Sequence, residues 1–266
     1  MYLNGQELVL EKVQQRFVEF PELDMKWPTI TNMKSLDDAK TLFRLANTQF
    51  KRALEYYVLD GFVTENVLIK QGMSQLYRHL IQLEPSDERK AMMLNRRKEM
   101  LEALQSELNP NHYQIRMMEF GAELSEIYSD IYDLEWRKKK KSLEAINAAG
   151  KKSIENANAF TSIIYKKDDP ADKYEYVTSM LNLELSVTSK LTKWYTQDPR
   201  ERIDKTKEAY DIYLRIDKFV KDWMEYKKYA SADDIPEEAI RQQIQIIKEM
   251  IQLLPPKLDK MCSATR

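Results

Sequence analysis

The chain reads as an all-α protein built from antiparallel helical hairpins. Three observations carry that reading. Apolar residues recur at steps of three and four through eight successive segments, the spacing of one buried helix face. No stretch sustains the period-two alternation a half-buried strand needs. Prolines and capping residues stand between the periodic segments, where helices start, and only 5 glycines occur in 266 residues.

The first segment, 36–59, places Ala39, Leu42, Phe43, Ala46, Phe50, Ala53, Leu54 and Tyr57 on one face. Gly61 ends it, because glycine enters the left-handed region without a Cβ clash. A helix over 63–83 starts at once, with Ile69, Met73, Leu76, Leu80 and Leu83 as its stripe. Ser86 caps a helix over 87–108, after Pro85. Asn109-Pro110 reads as cap and first residue of a helix over 111–137, striped by Tyr113, Met117, Phe120, Leu124, Ile127, Ile131 and Leu134. A helix over 141–166 follows. Asp169-Pro170 and Asp198-Pro199 open helices over 171–196 and 200–229. Asp234-Ile-Pro-Glu237 has capping-box spacing and opens a helix over 236–254, striped by Ile240, Ile244, Ile247, Ile251 and Leu254.

Consecutive helices with short joints pack as hairpins, and a row of hairpins makes a solenoid. Ala46, Phe50 and Ala53 have the small–aromatic–small spacing of the second helix of a tetratricopeptide repeat. The matching first-helix residues are missing and no clean 34-residue period recurs. The expectation is therefore a degenerate, tetratricopeptide-like, right-handed solenoid over 35–266. Residues 1–34 form an N-terminal segment: the first 20 fit part of a preceding helix pair, and Pro21 to Lys34 reads as a connection. The proline breaks argue against the rival, a long coiled coil.

Composition narrows the function. Apolar residues make up 43% and charged residues 32%, which suits a packed core under charged helix faces. The net charge of −1 supplies no field to gather nucleic acid or an anionic membrane. Cys262 is the single cysteine, so no disulfide framework closes within the chain, and the usage fits a reducing compartment. No apolar run approaches the roughly 20 residues of a bilayer span. The start is no signal peptide and there is no Asn-x-Ser/Thr sequon. The expected location is cytoplasmic.

Residues suited to catalysis are sparse. His79 and His112 have apolar or aromatic neighbours and no second ligand at metal spacing. A phosphate-cradling glycine loop and a nucleophile elbow are both missing. The chain is expected to be no enzyme, with no cofactor, metal or small-molecule substrate. The sharper feature is acidic. Glu119, Glu123, Glu126, Asp130 and Asp133 step four, three, four, three along one helix, beside its apolar stripe. Like charges at that spacing cost about 0.2–0.5 kcal/mol per pair. Either a neighbouring helix or water answers them, or they form a docking face for a basic partner. The basic run Arg137-Lys-Lys-Lys-Lys141 reads either as a solvated joint or as a nuclear signal or polyanion contact. Trp194, Tyr195, Tyr210, Tyr213, Phe219, Trp223 and Tyr226 read as core, with one ring of the Trp194-Tyr195 pair open to solvent. The 13 methionines make an adaptable core or an adaptable groove.

Five blocks carry a resemblance. Asp38-Ala-Lys40, Leu42-Phe43, Tyr56-Tyr-Val-Leu-Asp-Gly61, Leu108-Asn-Pro110 followed by Tyr113, and Lys248-Glu-Met-Ile-Gln-Leu-Leu-Pro255 stand in the order found in the kinesin family-binding (KIF-binding) protein family. Taken together they resemble the C-terminal half of that family, from Pro21 to Met261; the stretch from Arg137 to Lys173 departs from its pattern. The resemblance implies a cytoskeleton-associated binding protein that grips kinesin motor domains and keeps them off microtubules, regulating microtubule-based transport. It implies a steric mechanism, a curved helical array around a motor helix that otherwise touches tubulin. An acidic track requires a basic motor face, so the acidic stripe becomes the candidate contact. The residues alone support a generic helical scaffold with an unrelated protein or peptide partner equally well. With the N-terminal half absent, an exposed apolar patch is expected near 7–20.

Overall fold

The computed structural model describes residues 35–264. Within them the helices are α1 (Leu36–Tyr56), α2 (Val63–Leu83), α3 (Asp87–Glu107), α4 (Gln114–Arg137), α5 (Leu143–Tyr165), α6 (Pro170–Tyr174), α7 (Val177–Thr192), α8 (Pro199–Lys227) and α9 (Glu238–Ala264), with a 3-10 turn at Ala232–Asp234. No strand occurs among the described residues, so the fold is all-α. Each long helix packs mainly on the long helix before and after it, from α1 on α2 through to α8 on α9. The segment expected to expose apolar surface, 7–20, lies outside the described residues.

Local chemistry sets most helix starts. Ser35 accepts from the Asp38 amide and Asp38 returns the bond, a capping box. Ser86, Ser142, Asp169 and Asp198 cap α3, α5, α6 and α8, and Pro170 and Pro199 occupy the first turns. Gly61 closes the α1–α2 corner at φ +111°, a backbone that L side chains avoid.

Several boundaries differ from expectation. Pro110 does not open α4. Asn109 instead holds a local turn by accepting from the Asn111 amide, and the helix starts a turn later at Gln114. Asp234 does not cap α9; its carboxylate accepts from the Ser231 amide and closes the 3-10 turn. The segment 171–196 is two helices. Residues two apart on a helix point to nearly opposite sides. Tyr174 nevertheless packs on Phe219 and Tyr176 on Phe160, and the break at 175–176 lets both rings face inward. The last helix continues through Pro255-Pro256 to Ala264. Leu254 is buried and Leu258 and Met261 half-buried, so the apolar stripe holds the same face down past the prolines. The carbonyls of Ile251 and Gln252 lose their amide partners there.

The core has two main parts that meet at α4. Phe120, Leu124, Ile127 and Leu134 of α4 join Val67, Leu94, Leu101 and Leu104 from α2 and α3. Met118 of α4 joins the larger cluster, which runs through Phe160, Leu181, Tyr213, Phe219 and Trp223 to α9. The α4–α5 pair is the most extensive in the molecule. Small residues allow it: a Cβ on Gly121 would stand 3.1 Å from the Asn156 carbonyl oxygen, and Ser153 donates to the Ser125 carbonyl at 2.9 Å.

A candidate partner-binding cleft

Helices α2, α3, α4 and α7 enclose an open cleft of about 490 Å³. Two acids of the α4 stripe, Glu126 and Asp130, line it beside Arg78, Lys90, Arg97 and Arg137. Because α4 packs against α2 and α3 through its apolar stripe, the flanking carboxylates come within reach of cations on those helices.

Each acid meets a different environment. Glu119 accepts from Arg116 at 2.7 Å and from the Gln71 amide at 3.1 Å. Glu123 is buried; it pairs with Arg97 at 2.9 Å and accepts from the Ser74 hydroxyl, which itself accepts from Arg97 Nε at 3.0 Å. Glu126 meets Arg78 at 3.0 Å and stays half-exposed. Asp130 and Asp133 are exposed. Like-charge repulsion along the stripe is thus relieved within the fold, by Arg97, Arg78 and Arg116.

Burial shifts the ionisation of groups in the cleft and just behind it. Partial burial raises the Glu126 and Asp130 carboxyls above their ordinary values; Arg78 and Arg97 oppose this, while neighbouring acids add to it. Burial pushes Lys190 of α7 down to about 8, against the pull of Asp133 and Asp130. Its ammonium donates to Ser129 at 2.9 Å and Ser186 at 2.6 Å and lies over the Tyr132 ring.

Sequence reasoning missed the buried charges. Arg97 (1% exposed), Glu184 (0%) and Lys190 (4%) all sit within otherwise apolar stripes. Arg97 stands between Leu94 and Leu101, Glu184 between Met180 and Val187, and Lys190 beside Val187 and Leu191. A charge in the phase of an apolar stripe was the available signal. Glu184 is held by Arg215 through two bonds of 2.8 and 3.0 Å.

The remaining candidates fall elsewhere. His79 and His112 are exposed, and no group of His, Cys, Asp and Glu among the described residues could hold a metal ion. No described helix is long and apolar enough to cross a membrane. Tyr213, Phe219 and Trp223 are core; Tyr195 is the open ring of its pair, and Trp194 donates to Glu201 at 3.0 Å. The run 137–141 is an exposed joint between α4 and α5.

Comparison with known proteins decides the relationship. The family described as "KIF-1 binding protein C terminal" matches residues 6–261. The chain belongs to this family. A rat KIF-binding protein is 24% identical over 94% of the chain and 42% of its own length. The human KIF-binding protein is 24% identical over 87% of the chain and 38% of its own length, and the Drosophila melanogaster one 24% over 85% and 38%. The chain therefore spans about two-fifths of the length of these relatives. One solved structure, a computationally designed self-assembling cyclic homo-oligomer, is 12% identical at a TM-score of 0.29, covers 86% of this chain and 89% of its own, and carries no weight.

Proposed function

We propose that this chain is a non-enzymatic binding protein that takes kinesin motor domains and blocks their attachment to microtubules, acting in the cytoplasm on microtubule-based transport. The observation that carries the reading is family membership across 6–261. The exposed face of α4 supports it with a physical surface: Glu126, Asp130 and Asp133 keep exposed carboxylates along that helix, the first two at the cleft, and a basic face of a motor finds complementary charge in them. Glu123 is not part of that contact, because it is spent on Arg97 inside the fold.

The test is binding of the chain to a panel of purified kinesin motor domains, with microtubule co-sedimentation as readout. Motors that leave the pellet in proportion to added chain support the reading and show that this two-fifths suffices. If no motor responds, the assay is repeated with the family's N-terminal portion restored. Failure there too leaves a helical scaffold for another partner.

A further inference from the structure

Past Arg137, which lines the cleft, the basic joint between α4 and α5 is not used by the proposed motor contact. It holds Arg137 and four consecutive lysines, and Ser142 follows directly. Their environments differ. Arg137 reaches Asp87 at 3.8 Å, Lys138 pairs with Glu135 at 2.6 Å and Lys141 lies 4.6 Å over the Trp136 ring. Lys139 and Lys140 are exposed and form no ion pair among the described residues. The segment is open backbone: Lys138 (φ −60°, ψ 140°) and Ser142 (φ −94°, ψ 110°) are both extended. Ser142 is exposed, and its hydroxyl oxygen only accepts, from the Ala145 amide at 3.2 Å.

We propose that Ser142 is a phosphoacceptor for a basic-directed serine/threonine kinase. Such a kinase needs three things: an extended, accessible segment, a hydroxyl, and cations before it that fit acidic subsites, since kinases choose substrates by charge pattern. Ser142 meets all three. Ser153 follows Lys151-Lys152 but is 1% exposed inside α5. Ser35, Ser86 and Ser231 are accessible caps, but none of them has an unbroken run of cations directly before it.

In the transfer, Ser142 Oγ attacks the γ-phosphorus of ATP. The new O–P bond forms as the bond to the β–γ bridging oxygen breaks, ADP departs, and the hydroxyl proton passes to the kinase's catalytic carboxylate. The product adds about −1.5 to −2 of charge at pH 7. It removes a large share of the joint's positive charge and places that anion at the start of α5, where the helix dipole favours it. The unpaired Lys139 and Lys140 stand three and two residues away and can close onto it.

The test is phosphorylation of the folded 266-residue chain with ATP and the catalytic subunit of cyclic-AMP-dependent protein kinase, read by intact mass and peptide mapping. One phosphoryl group on Ser142 is expected, with Ser153 unmodified. Ser142→Asn keeps a good cap, so it preserves the fold while abolishing incorporation. Lys139→Glu with Lys140→Glu keeps the serine and lowers the initial rate by roughly tenfold. No incorporation into the folded chain, incorporation that survives Ser142→Asn, or an unchanged rate in the double variant would each overturn the proposal.

Discussion

Arg97 on α3 and Glu123 on α4 form an ion pair at 2.9 Å with both side chains shut away from solvent, 1% and 10% exposed. Ser74 of α2 bonds to both, so three helices share one polar node inside an otherwise apolar interface. Removing one partner strands the other charge in a place water does not reach. Arg97→Met should therefore destabilise the chain by about 3–5 kcal/mol, and Glu123→Leu by a similar amount. The double variant should lose far less than the sum, because it leaves no orphan charge. Urea unfolding of the four proteins checks this; additive losses would mean the pair is not coupled.

Charge reversal separates the exposed acids from the buried one. Glu126→Lys, Asp130→Lys and Asp133→Lys together should lower motor affinity by roughly tenfold or more, since they turn attraction into repulsion across the contact. Helicity should persist, because the Glu126–Arg78 pair is half-exposed and such pairs contribute about 0–1 kcal/mol. Adding Glu123→Lys should instead unfold the α2–α4 node. Unchanged motor binding in the folded triple variant removes the stripe from the contact.

Helix positions were legible in the sequence because they depend on local chemistry. Ser86, Asp169 and Asp198 cap where they were expected to, and Gly61 turns the first corner. The boundaries that moved depend on tertiary packing. Tyr174 and Tyr176 break a helix because both rings find partners inside, and α9 outlasts two prolines because Leu258 and Met261 continue its packed face. The acidic stripe was visible as a pattern, but its counter-charges were not. Arg97 and Arg78 lie on other helices, and no local spacing links them to α4.

The glycines of two helix contacts should answer oppositely to alanine. At Gly121 the added Cβ meets the backbone carbonyl of Asn156 at 3.1 Å, and backbone in a packed helix moves only with its neighbours. At Gly72 it meets the far end of the Phe50 ring at 3.1 Å, which belongs to a half-buried side chain free to shift. Alanine gains about 1 kcal/mol of helix propensity at either site. Overpacking costs about 1–3 kcal/mol where nothing yields. Gly121→Ala should thus lower the melting temperature, while Gly72→Ala leaves it unchanged or raises it. Equal responses would show that the α4–α5 contact is no tighter than α1–α2.

Lys190 gives the chain an alkaline stability profile with a definite sign. Its folded value lies at about 8, below its ordinary 10.5, because burial penalises the ammonium. Between those values the unfolded chain binds more protons than the folded one, so unfolding free energy rises with pH across that window. The groups facing the ammonium are Ser129, Asp130, Tyr132 and Asp133 on α4, Ser186 on its own helix and Lys193 just past that helix's end. The gain closes near the ordinary tyrosine value of 10.0, because burial raises Tyr128, Tyr132 and Tyr165 in the folded state and ionisation then favours the unfolded chain. Urea midpoints should therefore climb from pH 8 toward pH 10 in the parent chain. In Lys190→Met that climb should be absent, with the two proteins differing most below pH 8. Parallel profiles across the window would mean that Lys190 titrates no differently in the folded chain than in the unfolded one.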